Sequence, residues 1–503
     1  MKDQFTRIIE NYKEKIDERL ENDNEERVSP MFSTTNISYE FSDKISAIHC
    51  GGIGVVDQLI KQLKIPELIN SNIHLLKKHK PYFESDHILN IAYNIICGGR
   101  CLEDIELLRN NIVYMDALGA KRIPDPTTSG DFLRRFDESD IRKLMDISNT
   151  VNKSIWNVSL EKGSRQSGII DIDGTIQGSY GEKKEGIDIS YKGIWGFSPL
   201  VLTEATTGTH LYVVNRSGNS KSSDGAAEWI DKAIEEVGYS FEHVYLRGDT
   251  DFSLTREFDK WTEKNVRFVF GYSNWPNLVK KADLIDKNEW KRLSKSKKRV
   301  KTKKRKKKKN IKREAVIRRN FKDYREKELY VGEFNYKPVK CGRKYRVVVL
   351  KKIIDVTEGQ QFLFEDCRYF FYITNIWDIS AKDIVKFING RCNHENKIEQ
   401  LDNGIHALKM PASEFSANWA YMTICSLAWN IKSWLGLLMP DKMKGEKIIR
   451  CEFKRFQNMI INIPCQIIKT GRRVVYRFLN YNNWVEYLYD TFLRLKKLKF
   501  TCS

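Results

Sequence analysis

The sequence predicts an α/β fold with a mixed sheet, and three observations carry that expectation. Up to about residue 158 the apolar residues fall at helical spacing. From about residue 165 the texture changes to β-branched runs, "SGIIDIDGTIQGSY" and "FSPLVLTEATTGTHLYVVN", which read as three strands with a turn at Thr207-Gly208. Helix and strand then alternate: "DGAAEWIDKAIEEVG" closing on Gly238, "HVYLRGD", "SLTREFDKWTEKN" and "VRFVFGY". Three strands, helix, strand, helix, strand requires both hairpins and crossovers, and hence a mixed sheet.

The elements divide the chain into six segments. Residues 1–45 are polar, with helical periodicity in "FTRIIENYKEKIDERL", and read as a mobile arm. Residues 46–160 form a helical domain in which Ser129 and Ser139 stand where N-caps are expected. Its "TTSGDFLRRF" is either a groove-reading helix or an ordinary bundle element. Residues 165–271 are the first part of the α/β core. Residues 272–368 interrupt it with a basic tract and the strand-like pieces "KELYVGEFNY" and "KYRVVVLKKI". Residues 369–440 resume with the strand "RYFFYITN"; a Ser380/Asp383 capping box starts a helix running through "RCNHENKIEQLDNG", and an apolar helix follows. Residues 441–503 are basic and aromatic, and "KTGRRVVYRFLNYNNW" is either a DNA-facing patch or core.

Composition bounds the function. At 503 residues the chain is long enough for two to four domains of about 150 residues. The formal charge of +20 favours a polyanionic partner. Most of that excess lies in residues 295–313, "KSKKRVKTKKRKKKKNIKR", with fourteen basic residues and no acid. Such a tract is a solvated, self-repelling loop, a phosphate-contacting arm, or both; Lys303, Lys304, Arg305, Lys306 and Lys307 are its centre. The first thirty residues lack the apolar stretch of a signal peptide. The most apolar run, "ANWAYMTICSLAWNIKSWLGLLM", carries Asn418, Asn430 and Lys432, so a buried helix is expected rather than a membrane span. The scattered cysteines, with Cys97 and Cys101 lacking a second metal-binding pair, read as reduced cytosolic thiols.

Acidic residues then stand out. Asp171 and Asp173 in "IIDIDGT" share one face of a strand, and a carboxylate inside an apolar run requires a partner or a metal. "VYLRGDTDF" repeats the pattern with Asp249 and Asp251 at a strand's end, where α/β sheets hold ligands. Each acid alone could cap the helix that follows. Two strands ending this way, plus Glu395 and Glu399 on one helical stripe with Arg391, suit two-metal phosphoryl transfer.

In these residues the chain resembles the DDE transposases of bacterial insertion sequences, in the branch with a β-strand insertion inside an RNase H-like core. That family's Asp-x-Thr is matched by Asp173-Gly174-Thr175, and its Arg-x-Asp-x-x-Phe by "RGDTDF" with Arg247 and Asp249. Its Arg followed four positions later by Glu is matched by Arg391 and Glu395. The likeness extends to "GGRCLEDIELLRNN", "NRSGNSKSSDGAAEWI" and "ENKIEQLDNGIHALKMP", and covers roughly residues 48–440. One departure is clear: the family's lysine seven residues after the glutamate is Asp402 here, so that Lys397 or Lys409 replaces it or end binding weakens.

The resemblance implies a Mg2+-dependent enzyme, with Mn2+ able to substitute. It would bind double-stranded DNA at the inverted repeats of its own element, cut there, and join the 3′-hydroxyls to target DNA. Asp173, Asp249 and Glu395 would hold two ions, supported by Asp171, Thr175, Arg247, Asp251, Arg391 and Glu399. Trp275 or Trp290 would stack a displaced base, and a homodimer would pair the ends in the bacterial cytoplasm, at the nucleoid. A domesticated, non-catalytic DNA-binding relative is the alternative, and a junction resolvase a third reading.

Overall fold

A computed structural model of the chain describes residues 2–21, 37–39, 45–179, 181–293, 310–390, 392–471 and 473–500. It divides into two compact units.

The first unit comprises Met1–Ser164, Thr175–Ser220 and Lys397–Ser503. At its centre lies the helix Phe415–Leu438, buried on nearly every side, which is why its sequence shows so little amphipathic period. Its polar residues are the reason it folds here. Trp419 and Trp429 donate their indole N–H groups to the carbonyls of Val213 and Gly208, each at 2.8 Å. Asn430 accepts from the His210 backbone N–H at 2.7 Å, and Trp434 donates to Asn152 at 2.7 Å. The helix thereby docks on the hairpin of strands Leu200–Glu204 and His210–Val214, whose turn is closed by Glu204 accepting from the Thr206 and Thr207 N–H groups. Among the described residues no helix is long and apolar enough to cross a membrane.

Several expectations change in this unit. Ser129 and Ser139 are not N-caps. Asp125 caps Pro126–Leu133 by accepting from Thr128 N at 2.8 Å, and Asp137 caps Glu138–Ser159 by accepting from Asp140 N at 2.9 Å. Proline at the first helical position fixes the earlier start, and an aspartate caps as well as a serine. The aromatics of the C-terminal segment pack: Tyr476 donates to the Ala117 carbonyl at 2.8 Å, and Trp484 is 8% exposed. In the N-terminal segment Lys2–Glu21 is helical, with Phe5 stacked on Tyr489 at 4.3 Å. A small three-stranded sheet, Gln177–Gly178, Trp195–Phe197 and Asp188–Ile189, was not anticipated. The described cysteines are free thiols.

The second unit comprises Arg165–Gly174 and Lys221–Asn396. Its elements in chain order are β1 (Ser167–Gly174), α1 (Ala226–Gly238), β2 (His243–Gly248), α2 (Phe258–Glu263), β3 (Arg267–Tyr272), α3 (Pro276–Asp283), β4 (Lys322–Tyr336), β5 (Tyr345–Glu358), β6 (Gln361–Thr374) and α4 (Ala381–Asn389); α5 (Cys392–Asn403) begins in it. In the sheet, Lys291–Arg292 lies beside β4, followed by β5, β6, β3, β2 and β1. β1, β2 and β3 are parallel to one another, whereas β3 to β6, β6 to β5 and β5 to β4 are antiparallel. The inserted strands therefore extend the same sheet, because Phe371–Thr374 of β6 pair with Val269–Tyr272 of β3.

α4 covers the seam with Ile384, Val385 and Ile388, packed against Val269, Val331, Val348 and Leu350. Ser380 caps it as expected, accepting from Asp383 N at 3.2 Å and donating to the Asp383 carboxylate at 2.6 Å. The single helix expected from Ser380 through residue 404 is two helices, α4 ending at its cap Gly390 and α5 starting at Cys392.

In the first unit, Lys432 stands fully buried, its Nζ 3.8 Å over the Trp429 ring and 2.9 Å from the Ile449 carbonyl. Burial pulls its pKa down from 10.5 to about 7. The unfolded chain thus binds the extra proton between those values, and stability should rise with pH from about 7 to about 10. Lys432→Met should raise the thermal midpoint at neutral pH by a few degrees and flatten that rise. Thermal unfolding followed across this pH range checks both, and a mutant with the wild-type slope would contradict the assignment.

Candidate active site

The strands β1 and β2 run parallel, with Asp171 beside Arg247 and Ile172 beside Gly248. Side chains alternate along a strand, so the next pair on the Asp171/Arg247 face is Asp173 and Asp249, at the C-terminal ends. These two rows differ in charge. In the inner row Arg247 donates through Nε at 2.6 Å and Nη2 at 2.9 Å to the two oxygens of Asp171, a bidentate pair with side chains 8% and 1% exposed. In the outer row the register brings two carboxylates, Asp173 and Asp249, to adjacent strand ends.

Local structure holds each outer acid. Asp173 is buried and accepts from the Gly174 N–H at 2.9 Å. Asp249 caps the short turn Thr250–Phe252 and accepts from the Asp251 N–H at 3.0 Å. The capping alternative is thus realised at Asp249, in addition to its place in the row; Asp251 itself is exposed and contributes a backbone donor. Carboxylate oxygens are the donors a hard divalent ion takes.

Glu395 lies on α5, five positions after Gly390. Its side chain, Arg391, and Lys303, Lys304, Arg305, Lys306 and Lys307 fall outside the described residues. Among the described residues no group of three or more acids, histidines or cysteines converges on one point. Glu399 is exposed. Lys397 reaches the Ala205 carbonyl at 3.5 Å, and Lys409 is exposed at the end of the turn Ala407–Lys409. Thr175 donates its backbone N–H to the Pro199 carbonyl at 2.9 Å.

Two features of the second unit escaped the sequence reading. A groove of about 800 Å³ starts at Thr250, next to Asp249, and is lined by Tyr272, Asn274, Arg368, Tyr369 and Tyr372. Trp275 stands 58% exposed at the start of α3. Trp290 instead packs: its ring lies 6.2 Å from Tyr369 under the Lys351 ammonium, over Gly332, where a Cβ would come within 3.1 Å of it. The second missed feature is the Asp171–Arg247 pair. Its signal was present, since Asp171 precedes Asp173 by the same two positions as Arg247 precedes Asp249.

The family model described as Transposase DDE domain group 1 matches residues 39–500. The chain belongs to the DDE transposase family. The matched range includes Asp173, Asp249 and Glu395. No curated protein matches the transposase. A solved structure of the piggyBac transposase synaptic complex with hairpin DNA is similar at a TM-score of 0.37 and 10% identity, over 82% of this chain and 79% of that one. DDE transposases generally use divalent metal ions, and the Asp173/Asp249 row suits one in donor type and charge.

Removing the inner acid should therefore be costly. Asp171→Ala should lower the stability of the transposase by about 3–5 kcal/mol, because it strands a buried guanidinium. Urea unfolding measures the loss, and a variant as stable as the wild type would be inconsistent with the buried ion pair.

Proposed function

We propose that this transposase binds the terminal inverted repeats of a bacterial insertion sequence, hydrolyses the DNA at each end, and joins the freed 3′-hydroxyls to target DNA. The observation supporting it is the Asp173/Asp249 row at adjacent strand ends of a chain in the DDE family. Asp173, Asp249 and Glu395 would hold two Mg2+ ions, or Mn2+ in their place. When bound, such ions activate the attacking water or hydroxyl and stabilise the leaving oxygen.

The chain's own groups supply the rest. The bidentate Arg247 neutralises Asp171 and anchors the two strands beneath Asp173 and Asp249 at their ends. Lys303 to Lys307, Arg391, Lys397 and Lys409 neutralise phosphates, so end binding weakens steeply with salt. The exposed Trp275 ring offers a stacking surface to an unpaired base beside the groove. Two copies on paired ends would act together, in the cytoplasm at the nucleoid. Asp402, in place of the family's lysine, favours a second reading in which the protein binds ends without cutting them.

Incubation of the purified protein with Mg2+ and a plasmid carrying the element's ends separates the two. Excision is expected from the wild type, falling to background in Asp249→Asn and Glu395→Gln while end binding persists. Binding without cutting by the wild type would establish the second reading, and equal cutting by all three proteins would sink the assignment of the acids.

A further inference from the structure

Arg247 does more than neutralise Asp171. Its third nitrogen, Nη1, donates to the Phe387 carbonyl at 2.8 Å, and the guanidinium lies 5.1 Å from the Phe387 ring. Phe387 is in the last turn of α4, where its carbonyl also accepts from the Gly390 N–H at 3.1 Å and the helix dipole favours a cation. Gly390, the cap of that helix, has φ −59° and ψ −17°, values open to any residue. A Cβ there would nevertheless stand 2.4 Å from Arg247 Nη1. The glycine leaves room for the guanidinium and for the Phe387 carbonyl, which a Cβ would approach to 3.1 Å, and is not demanded by its own backbone angles.

One buried side chain thus ties three places together. It holds β1 two residues before Asp173, sits on β2 two residues before Asp249, and grips the last turn of α4 at Phe387, eight residues before Glu395. We propose that Arg247 is a positioning residue, which, with the clearance left by Gly390, sets the start of α5 relative to the strand-end carboxylates and so brings the third acid to the other two. Lysine can replace its charge but not its planar fork to three acceptors. Positioning in this sense presupposes that Asp173, Asp249 and Glu395 act as one set; hydrogen exchange in α4 and α5 does not.

The test uses full-length Arg247→Lys and Gly390→Ala. Gly390→Ala keeps both ion-pair partners and crowds the Nη1 contact to the Phe387 carbonyl, so it carries the test should the lysine variant fail to fold. Amide exchange over residues 381–403, Mn2+ calorimetry without DNA, and end cleavage at varied DNA concentration are measured. Faster exchange is expected at the end of α4 and in α5, with β1 and β2 still protected. Mn2+ affinity should fall about 10–100-fold, and kcat about a hundredfold with KM for DNA unchanged. Wild-type exchange and wild-type Mn2+ affinity in the folded variants would overturn the positioning role. Lost protection with intact Mn2+ affinity would overturn it alone, whereas a wild-type chain that binds no Mn2+ overturns the proposed function along with it.

Discussion

The parallel, in-register pairing of β1 with β2 is the constraint on which the site depends. Because side chains alternate on a strand, a single register assignment decides which charges meet. Asp171 meets Arg247 and is neutralised, and the same register carries Asp173 and Asp249 to the neighbouring strand ends. A slip of β1 by one residue would turn Asp171 and Asp173 to the opposite face and set the apolar Ile170 and Ile172, both fully buried, in their place. The hydrophobic pattern of β1 therefore protects the electrostatic one.

Burial gives the two rows their consequences. A guanidinium and a carboxylate nearly sealed from water are costly to separate, so the inner row is rigid. The outer row sits where each strand ends, with backbone N–H groups of Gly174 and Asp251 fixing one oxygen of each acid. Rigidity beneath and local hydrogen bonding above hold the two carboxylates in place, which is the preorganisation a metal site needs. The inserted strands contribute through β6, whose pairing with β3 continues the sheet and whose aromatic residues line the groove beginning at Thr250.

Much of this was legible in the sequence. Alternation placed Asp171 and Asp173 on one face, and the apolar run before Asp249 marked a strand end. The polar residues of "ANWAYMTICSLAWNIKSWLGLLM" argued for a buried helix, and the structure gives each of Asn418, Asn430 and Lys432 a partner. What escaped depends on contacts distant in sequence: Asp171 and Arg247 are 76 residues apart, and Arg247 and Phe387 140. The break after α4 was invisible because Gly390 is helical in its own angles and the periodicity continues past it. β6 proved longer than "RYFFYITN" because its outer half, "QFLFEDC", is exposed or half-exposed throughout and shows no alternation to read. Ser129 and Ser139 misled because serine and aspartate cap equally well, and only the Pro126 start and the Thr128 and Asp140 donors decide between them.

The central claim is that Asp173 and Asp249 form one divalent-ion site with Glu395. Fe2+ bound there and given hydrogen peroxide, with ascorbate to re-reduce the Fe3+ formed, would generate hydroxyl radicals that cut the polypeptide next to the ion, so mapping the cuts locates the ligands. The account predicts scission clustered near residues 173, 249 and 395 and suppressed by Mg2+. Cuts confined to other positions, or insensitive to Mg2+, would contradict it.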